Sequence, residues 1–288
     1  MLAAVLGGAA GCGDEASTPA SASERVDGLF APLTTGVQPG AAVMVIRDGR
    51  IVHQAGYGYA DLANRVPITP DSAFNLASVS KRFTAMAIMI LAASNALDYD
   101  DLVSRYLPQL APLVEAVSGM DFASFMSKRV FVPAGMQHSL IHDHTLPIVP
   151  GRAFGYEPEG DGYSLNDDDP LNGIVGSGSM YSTLNDFFRW DQVLYGETLV
   201  SRDALDEAFA AARLNNGKPV DYGFGWRLDE YEGRRRVRHG GSWVGFRTHI
   251  ARYPDERFTI VILANRADVE PETYIDAVTG IYLGKAGR

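Results

Sequence analysis

The sequence predicts an α/β chain of the mixed, α+β kind, in which one antiparallel sheet is assembled from both ends of the chain and helices pack against it. Three observations carry this. Two β-rich runs near the start, Ala41 to Arg47 and Ile51 to Gly58, flank Asp48-Gly49, the strongest short hairpin signal. Four more β-rich runs crowd the last quarter: Gly225 to Asp229, Arg235 to His239, Arg247 to Tyr253 and Phe258 to Asn265. Between the two blocks the apolar period turns helical, so the sheet closes only if the ends meet.

Taken in order, residues 1–12 are a small, apolar leader and 13–25 a Ser/Ala/Thr/Pro/Glu stretch with almost nothing to bury, read as a disordered linker. One domain follows over 26–288, its sheet part about 26–75 and 218–288 and its helical part about 76–217. Ser80 to Ala96 is dense in Phe83, Met86, Ala87, Met89, Ile90 and Leu91 and reads as a buried helix ending near Asn95. Further helices fit Leu113 to Val117, Asp121 to Lys128, Thr183 to Leu194 and Ser201 to Ala212, and Pro271 to Leu283 reads as a closing amphipathic helix.

Composition limits the function. With 288 residues, 46% of them apolar, the chain can bury a large core, and a net charge of -10 argues against nucleic acid as a partner, because phosphate neutralisation needs clustered Lys and Arg. The one basic run, Arg234-Arg235-Arg236 with Arg238, reads as a solvated strand face. The single cysteine excludes an intrachain disulfide. It stands in Ala9-Ala10-Gly11-Cys12, which resembles a lipoprotein processing box. The expectation is therefore a lipid attached at Cys12, and through it the protein's only membrane contact. His138, His142 and His144 with Asp143 imitate a metal cluster but read as solvated surface, and no metal is expected.

The chemistry lies in Ser78-Val79-Ser80-Lys81. A serine followed three residues later by lysine at a helix start puts both side chains on one face, within hydrogen-bonding reach. A serine hydroxyl is a weak nucleophile until its proton is removed, and a lysine removes it if burial lowers its pKa. The helix N-terminus favours negative charge developing nearby.

In context, Phe74-Asn75-Leu76-Ala77-Ser78-Val79-Ser80-Lys81-Arg82-Phe83-Thr84 resembles the serine β-lactamase-like family, which includes class C β-lactamases, penicillin-binding DD-peptidases and related esterases. The resemblance runs from about Val26 to the end through Pro39-Gly40-Ala41-Ala42, Val117-Ser118-Gly119-Met120, Phe131-Val132-Pro133-Ala134-Gly135-Met136, Gly176-Ser177-Gly178-Ser179-Met180-Tyr181 and Tyr222-Gly223-Phe224-Gly225-Trp226. It implies a β-lactamase/transpeptidase-like fold and a serine hydrolase without cofactor or metal, acting on small-molecule esters or amides or on peptidoglycan-type peptides in the cell envelope. The third family motif, Lys-Thr-Gly or His-x-Gly, is matched by His239-Gly240-Gly241. His239 is then an electrostatic helper facing the pocket, Gly240 and Gly241 admit the substrate backbone, and the N–H groups of Ser78 and Ser242 form the oxyanion hole.

The second motif departs. Relatives carry Tyr-x-Asn between the segments matched by Tyr106-Leu107-Pro108 and Val117-Ser118-Gly119-Met120, and here only Gln109-Leu110-Ala111-Pro112 and a few residues join them. The helical subdomain is therefore expected to be reduced. Losing the tyrosine base predicts weaker turnover, with activated esters favoured over β-lactams and peptides. A non-catalytic envelope lipoprotein that binds cell-wall peptides is the alternative.

Overall fold

The structure is a computed structural model and describes residues 20–101, 113–142, 148–169 and 175–284. Cys12, Tyr106, Asp143 and His144 lie outside the described residues, as does the Gln109-Leu110-Ala111-Pro112 junction.

The described chain opens with helix α1, Ala22–Phe30, and the hairpin of β1, Ala41–Arg47, and β2, Arg50–Tyr57. Helices α2, Lys81–Ala93, α3, Leu113–Ser118, α4, Phe122–Phe125, α5, Leu184–Val193, and α6, Arg202–Ala208, fill the middle. Strands β3, Tyr222–Gly223, β4, Trp226–Tyr231, β5, Arg234–Trp243, β6, Phe246–Tyr253, and β7, Phe258–Ala264, then lead to α7, Pro271–Leu283. The sheet has seven strands in the order β3-β4-β5-β6-β7-β1-β2, antiparallel throughout. Its two ends are joined by β1 on β7, in register from Ala41 opposite Ala264 to Arg47 opposite Phe258.

Both faces of this sheet are covered, so the buried strands read as continuous apolar runs rather than alternations. On one face Val43, Val45, Ile260 and Ile262 pack on Val26 and Phe30 of α1 and Ile275 and Val278 of α7. On the other, Ala42, Met44, Val261 and Leu263 pack on Phe83, Met86 and Ile90 of α2 and Leu184, Phe187 and Trp190 of α5. Asp48 and Gly49, at φ 50° and 72°, take the left-handed conformations that a tight hairpin between twisted strands demands.

Four expectations need correcting. The stretch read as linker to residue 25 is helical from Ala22, because Ser21 and Glu24 cap one another's backbone N–H and Val26 and Phe30 anchor the helix in the core. The helix expected to end at Lys128 runs on as a wide turn over Met126–Phe131 to Val132–Ala134, burying Val130 and Phe131 and stopping at left-handed Gly135. The helix expected to reach Ala212 stops at Ala208, and Ala212–Arg213 pairs instead with Pro219–Val220. Of the basic run only Arg235 is a solvated residue. Arg236 is buried and forks onto Asp229 at 2.9 Å, with Asp276 also at 2.9 Å, while Arg238 pairs with Asp229 and Glu272 at 2.7 Å each.

Candidate active site

The nucleophile turn is built where the sheet meets the helical layer. Phe74–Asn75 pairs with Ser182 and Tyr181, and Leu76 N–H donates to Met180 O at 2.8 Å, which fixes the chain just before Ser78. Asn75 Oδ1 then accepts the N–H of Ala77, whose φ of 47° turns the backbone sharply into a 3-10 turn, Ala77–Ser80, that leads into α2. Ser78 stands second in that turn, where an N–H has no intrahelical acceptor.

Lys81 Nζ lies 2.7 Å from Ser78 Oγ and 3.3 Å from Ser177 O. Burial holds the Lys81 ammonium below the ordinary lysine range, and among the described residues no carboxylate forms an ion pair with it. Ser78 and Lys81 line a cleft of about 160 Å³ with Ser177, Gly178, Ser179, Ser242 and Trp243. Ser177 to Ser179 lead directly into the strand Met180–Ser182, which pairs with Phe74–Asn75. Sequence reasoning noted that segment only as a family match and missed that its carbonyl holds the lysine.

Ser78 also opens onto a larger cleft of about 490 Å³, lined by His239, Gly240, Gly241 and Ser242 and by Arg227, Arg238 and Arg247 with Glu270 and Glu272. The predicted serine, lysine and His-Gly-Gly strand therefore converge. Two of the expected residues also have structural tasks of their own. A Cβ at Gly241 would stand 2.4 Å from both Leu76 O and Thr248 Oγ1. This glycine is required by the protein's own packing of β5 on the nucleophile turn, where Thr248 donates to Leu76 O at 2.8 Å. At Gly240, a Cβ would lie 3.3 Å from His249 Nδ1.

His239 is buried, and burial first, then the Arg82 guanidinium, pushes its pKa down to about 4. It is neutral at neutral pH. Its Nδ1 lies 2.6 Å from Gly240 O, which can only accept, so the proton is on Nδ1 and Nε2 accepts from the Tyr222 hydroxyl at 3.1 Å. With both nitrogens engaged, neutral His239 presents a polar ring rather than a full charge to the cleft. It is a shaped, fixed wall.

Tyr222 and Arg82 escaped the sequence reading. Arg82 is buried, its guanidinium sits 4.2 Å over the Trp226 ring, and among the described residues its nitrogens find no hydrogen-bond partner. Gly225, at φ 82°, lets the Tyr222 to Trp226 segment lie directly on the backbone of Lys81 and Arg82. The two flanking glycines of that segment are the signal that could have found it. Of the histidines read as surface, His138 is exposed 3.8 Å from Asp186, and His142 packs edge-on against Tyr181.

With this geometry in view, the comparisons are coherent. Penicillin-binding protein 4* of Bacillus subtilis is 30% identical over 83% of this chain and 71% of its own length. D-aminopeptidases of Gluconobacter oxydans and Brucella ovis are 24% and 25% identical over 84% and 79% of the chain, which spans only 59% and 56% of their length. Among solved structures, the octameric penicillin-binding protein homologue of Pyrococcus abyssi superposes with a TM-score of 0.77 at 19% identity, covering 91% of this chain and 76% of that one. FmtA of Staphylococcus aureus gives 0.77 at 18%, covering 92% and 89%; at such identities both speak for the fold. The beta-lactamase family model matches residues 26–112 and 109–279, two pieces that meet at the Gln109-Leu110-Ala111-Pro112 junction. The chain belongs to the beta-lactamase family of serine hydrolases.

Proposed function

We propose that the chain hydrolyses ester and amide bonds through an acyl-enzyme on Ser78, with Lys81 as general base. The observation that carries this reading is the 2.7 Å contact between Lys81 Nζ and Ser78 Oγ at an open cleft, with burial favouring the neutral amine. Neutral Lys81 takes the hydroxyl proton as Ser78 Oγ bonds to the substrate carbonyl carbon. The N–H groups of Ser78 and Ser242 hold the oxyanion, and the Lys81 ammonium then returns the proton to the departing group. Water completes the cycle by the same path in reverse.

The leaving group decides efficiency. An amide nitrogen must be protonated to depart, whereas an aryl oxide leaves unaided, and among the described residues Lys81 hydrogen-bonds to no tyrosine. Activated esters are therefore the better substrates and amide turnover is reduced. The relatives named penicillin-binding protein and D-aminopeptidase favour peptides of the cell-wall type as the natural class, and with them an envelope location. Among the described residues no helix is long and apolar enough to cross a membrane; the attachment proposed is a lipid at Cys12. Arg227, Arg238 and Arg247, with Glu270 and Glu272, line the larger cleft onto which Ser78 opens and suit a polar, charged substrate.

The missing Tyr-x-Asn segment also favours a second reading, a lipoprotein that binds such peptides without turning them over. A turnover panel separates the two. An aryl acetate should be hydrolysed at least about 100-fold faster than an N-acyl D-alanyl-D-alanine peptide, and Ser78→Ala should abolish both. Saturable peptide binding, unchanged in Ser78→Ala and without ester turnover, would establish the binding role instead.

A further inference from the structure

On the opposite face of the sheet, four side chains of α1 and β2 form one hydrogen-bonded chain. Ser23 Oγ lies 2.8 Å from His53 Nδ1, His53 Nε2 lies 3.0 Å from the Tyr57 hydroxyl, and that hydroxyl lies 2.6 Å from Asp27 Oδ1. The spacing makes this possible: Ser23 and Asp27 are one turn apart on a helix face, and His53 and Tyr57 share a face of β2.

The direction of every proton follows from the end of the chain. An ionised carboxylate only accepts, so the Tyr57 hydroxyl donates to Asp27. The Tyr57 oxygen then accepts from His53 Nε2–H, which leaves Nδ1 with its lone pair, and the Ser23 hydroxyl donates to it. A serine O–H thus points at an unprotonated imidazole nitrogen whose other nitrogen is oriented, through a phenol, by a carboxylate. The His53 ring is 2% exposed and held neutral by burial, while Asp27 Oδ1 stands 4.0 Å from Nε2, close enough to stabilise an imidazolium. Ser23 itself is half-buried and reachable, in the first turn of α1.

We infer that Ser23 is a second acyl-accepting serine, a covalent modification site for small activated acyl or phosphonyl compounds that works independently of Ser78. Ser23 Oγ bonds to the acyl carbon or phosphorus as its proton passes to His53 Nδ1. The leaving group departs with the bonding pair, and the imidazolium gives its proton to that group or, where the group is as weak a base as fluoride, to water, so the product is an ester on Ser23 and a neutral His53. Ser23 lines neither cleft at Ser78, so an adduct on one serine leaves the other free.

The test labels the full chain carrying Ser78→Ala with a fluorophosphonate at pH 8 and maps the adduct by peptide mass spectrometry. An adduct on Ser23 is expected, formed at least about tenfold more slowly than that on Ser78 in the unaltered chain and absent when Ser23→Ala is added. Adding His53→Gln instead should slow it about 100-fold, the loss of a general base. Labelling of Ser78 in the single variant His53→Gln checks that the fold survives. If α1 detaches in that variant, Asp27→Asn is the substitute and should slow the adduct about tenfold. No adduct on Ser23 in Ser78→Ala, or an adduct whose rate ignores His53 and Asp27, overturns the inference.

Discussion

Lys81 makes the clearest demand at the scale of single residues. Among the described residues it is the one base hydrogen-bonded to Ser78, so Lys81→Met should slow acylation by a factor of about 10² to 10⁴, read as the rate of p-nitrophenyl ester cleavage, without lowering the melting temperature. Because burial lowers its pKa, that rate should climb with pH to a plateau whose midpoint lies below the ordinary lysine value. Gly241 makes a second demand. A methyl there meets Leu76 O and Thr248 Oγ1 at 2.4 Å, so Gly241→Ala should cost about 1–3 kcal/mol in urea unfolding as β5 is pushed off the nucleophile turn. Ester turnover should fall with it, since a small displacement of a catalytic serine is expensive. Unchanged stability in Gly241→Ala would mean that the turn is not held as described.

At the scale of elements, α1 is tied on by its cap and its core residues together. Ser21→Ala removes one half of the capping box and should lower stability by about 1 kcal/mol by urea titration, a loss that Ser21→Asp restores. How much of the fold was legible depends on whether the signal was local. The Asp48-Gly49 hairpin, the four late strands and the closing helix over Pro271–Leu283 are set by neighbouring residues, and each was readable. The start of α1 was also written in Ser21 and Glu24, but the low-complexity stretch before it masked that signal. Arg236 was misread because its partner Asp276 is 40 residues away on α7. At the site, Ser78, Lys81 and His239 were legible as motifs. The carbonyl of Ser177, the hydroxyl of Tyr222 and the Arg82 stack on Trp226 are long-range contacts, and of these only the glycines beside Phe224 left a trace in the sequence.

Among the described residues burial lowers the pKa of His53 and pushes two other histidines furthest, His239 to about 4 and His249 to about 3. Unfolding returns both to a value near 6.5, so between that pH and 4 the unfolded chain binds more protons than the native one and stability falls as pH drops. The stability they contribute is intact above 6.5. At pH 5 the loss should reach about 2 kcal/mol or more, measured as the difference in urea unfolding free energy from pH 7, and a flat profile would contradict the burial of both rings. The family fold, the nucleophile turn and the lysine beneath it make one account, in which catalysis passes through a covalent ester on Ser78. The most direct test is peptide mapping of the intact chain after brief exposure to a fluorophosphonate. The account predicts that the fastest-forming adduct sits on Ser78, disappears in Ser78→Ala and slows at least about 100-fold in Lys81→Met; no adduct on Ser78, or one indifferent to Lys81, would contradict it.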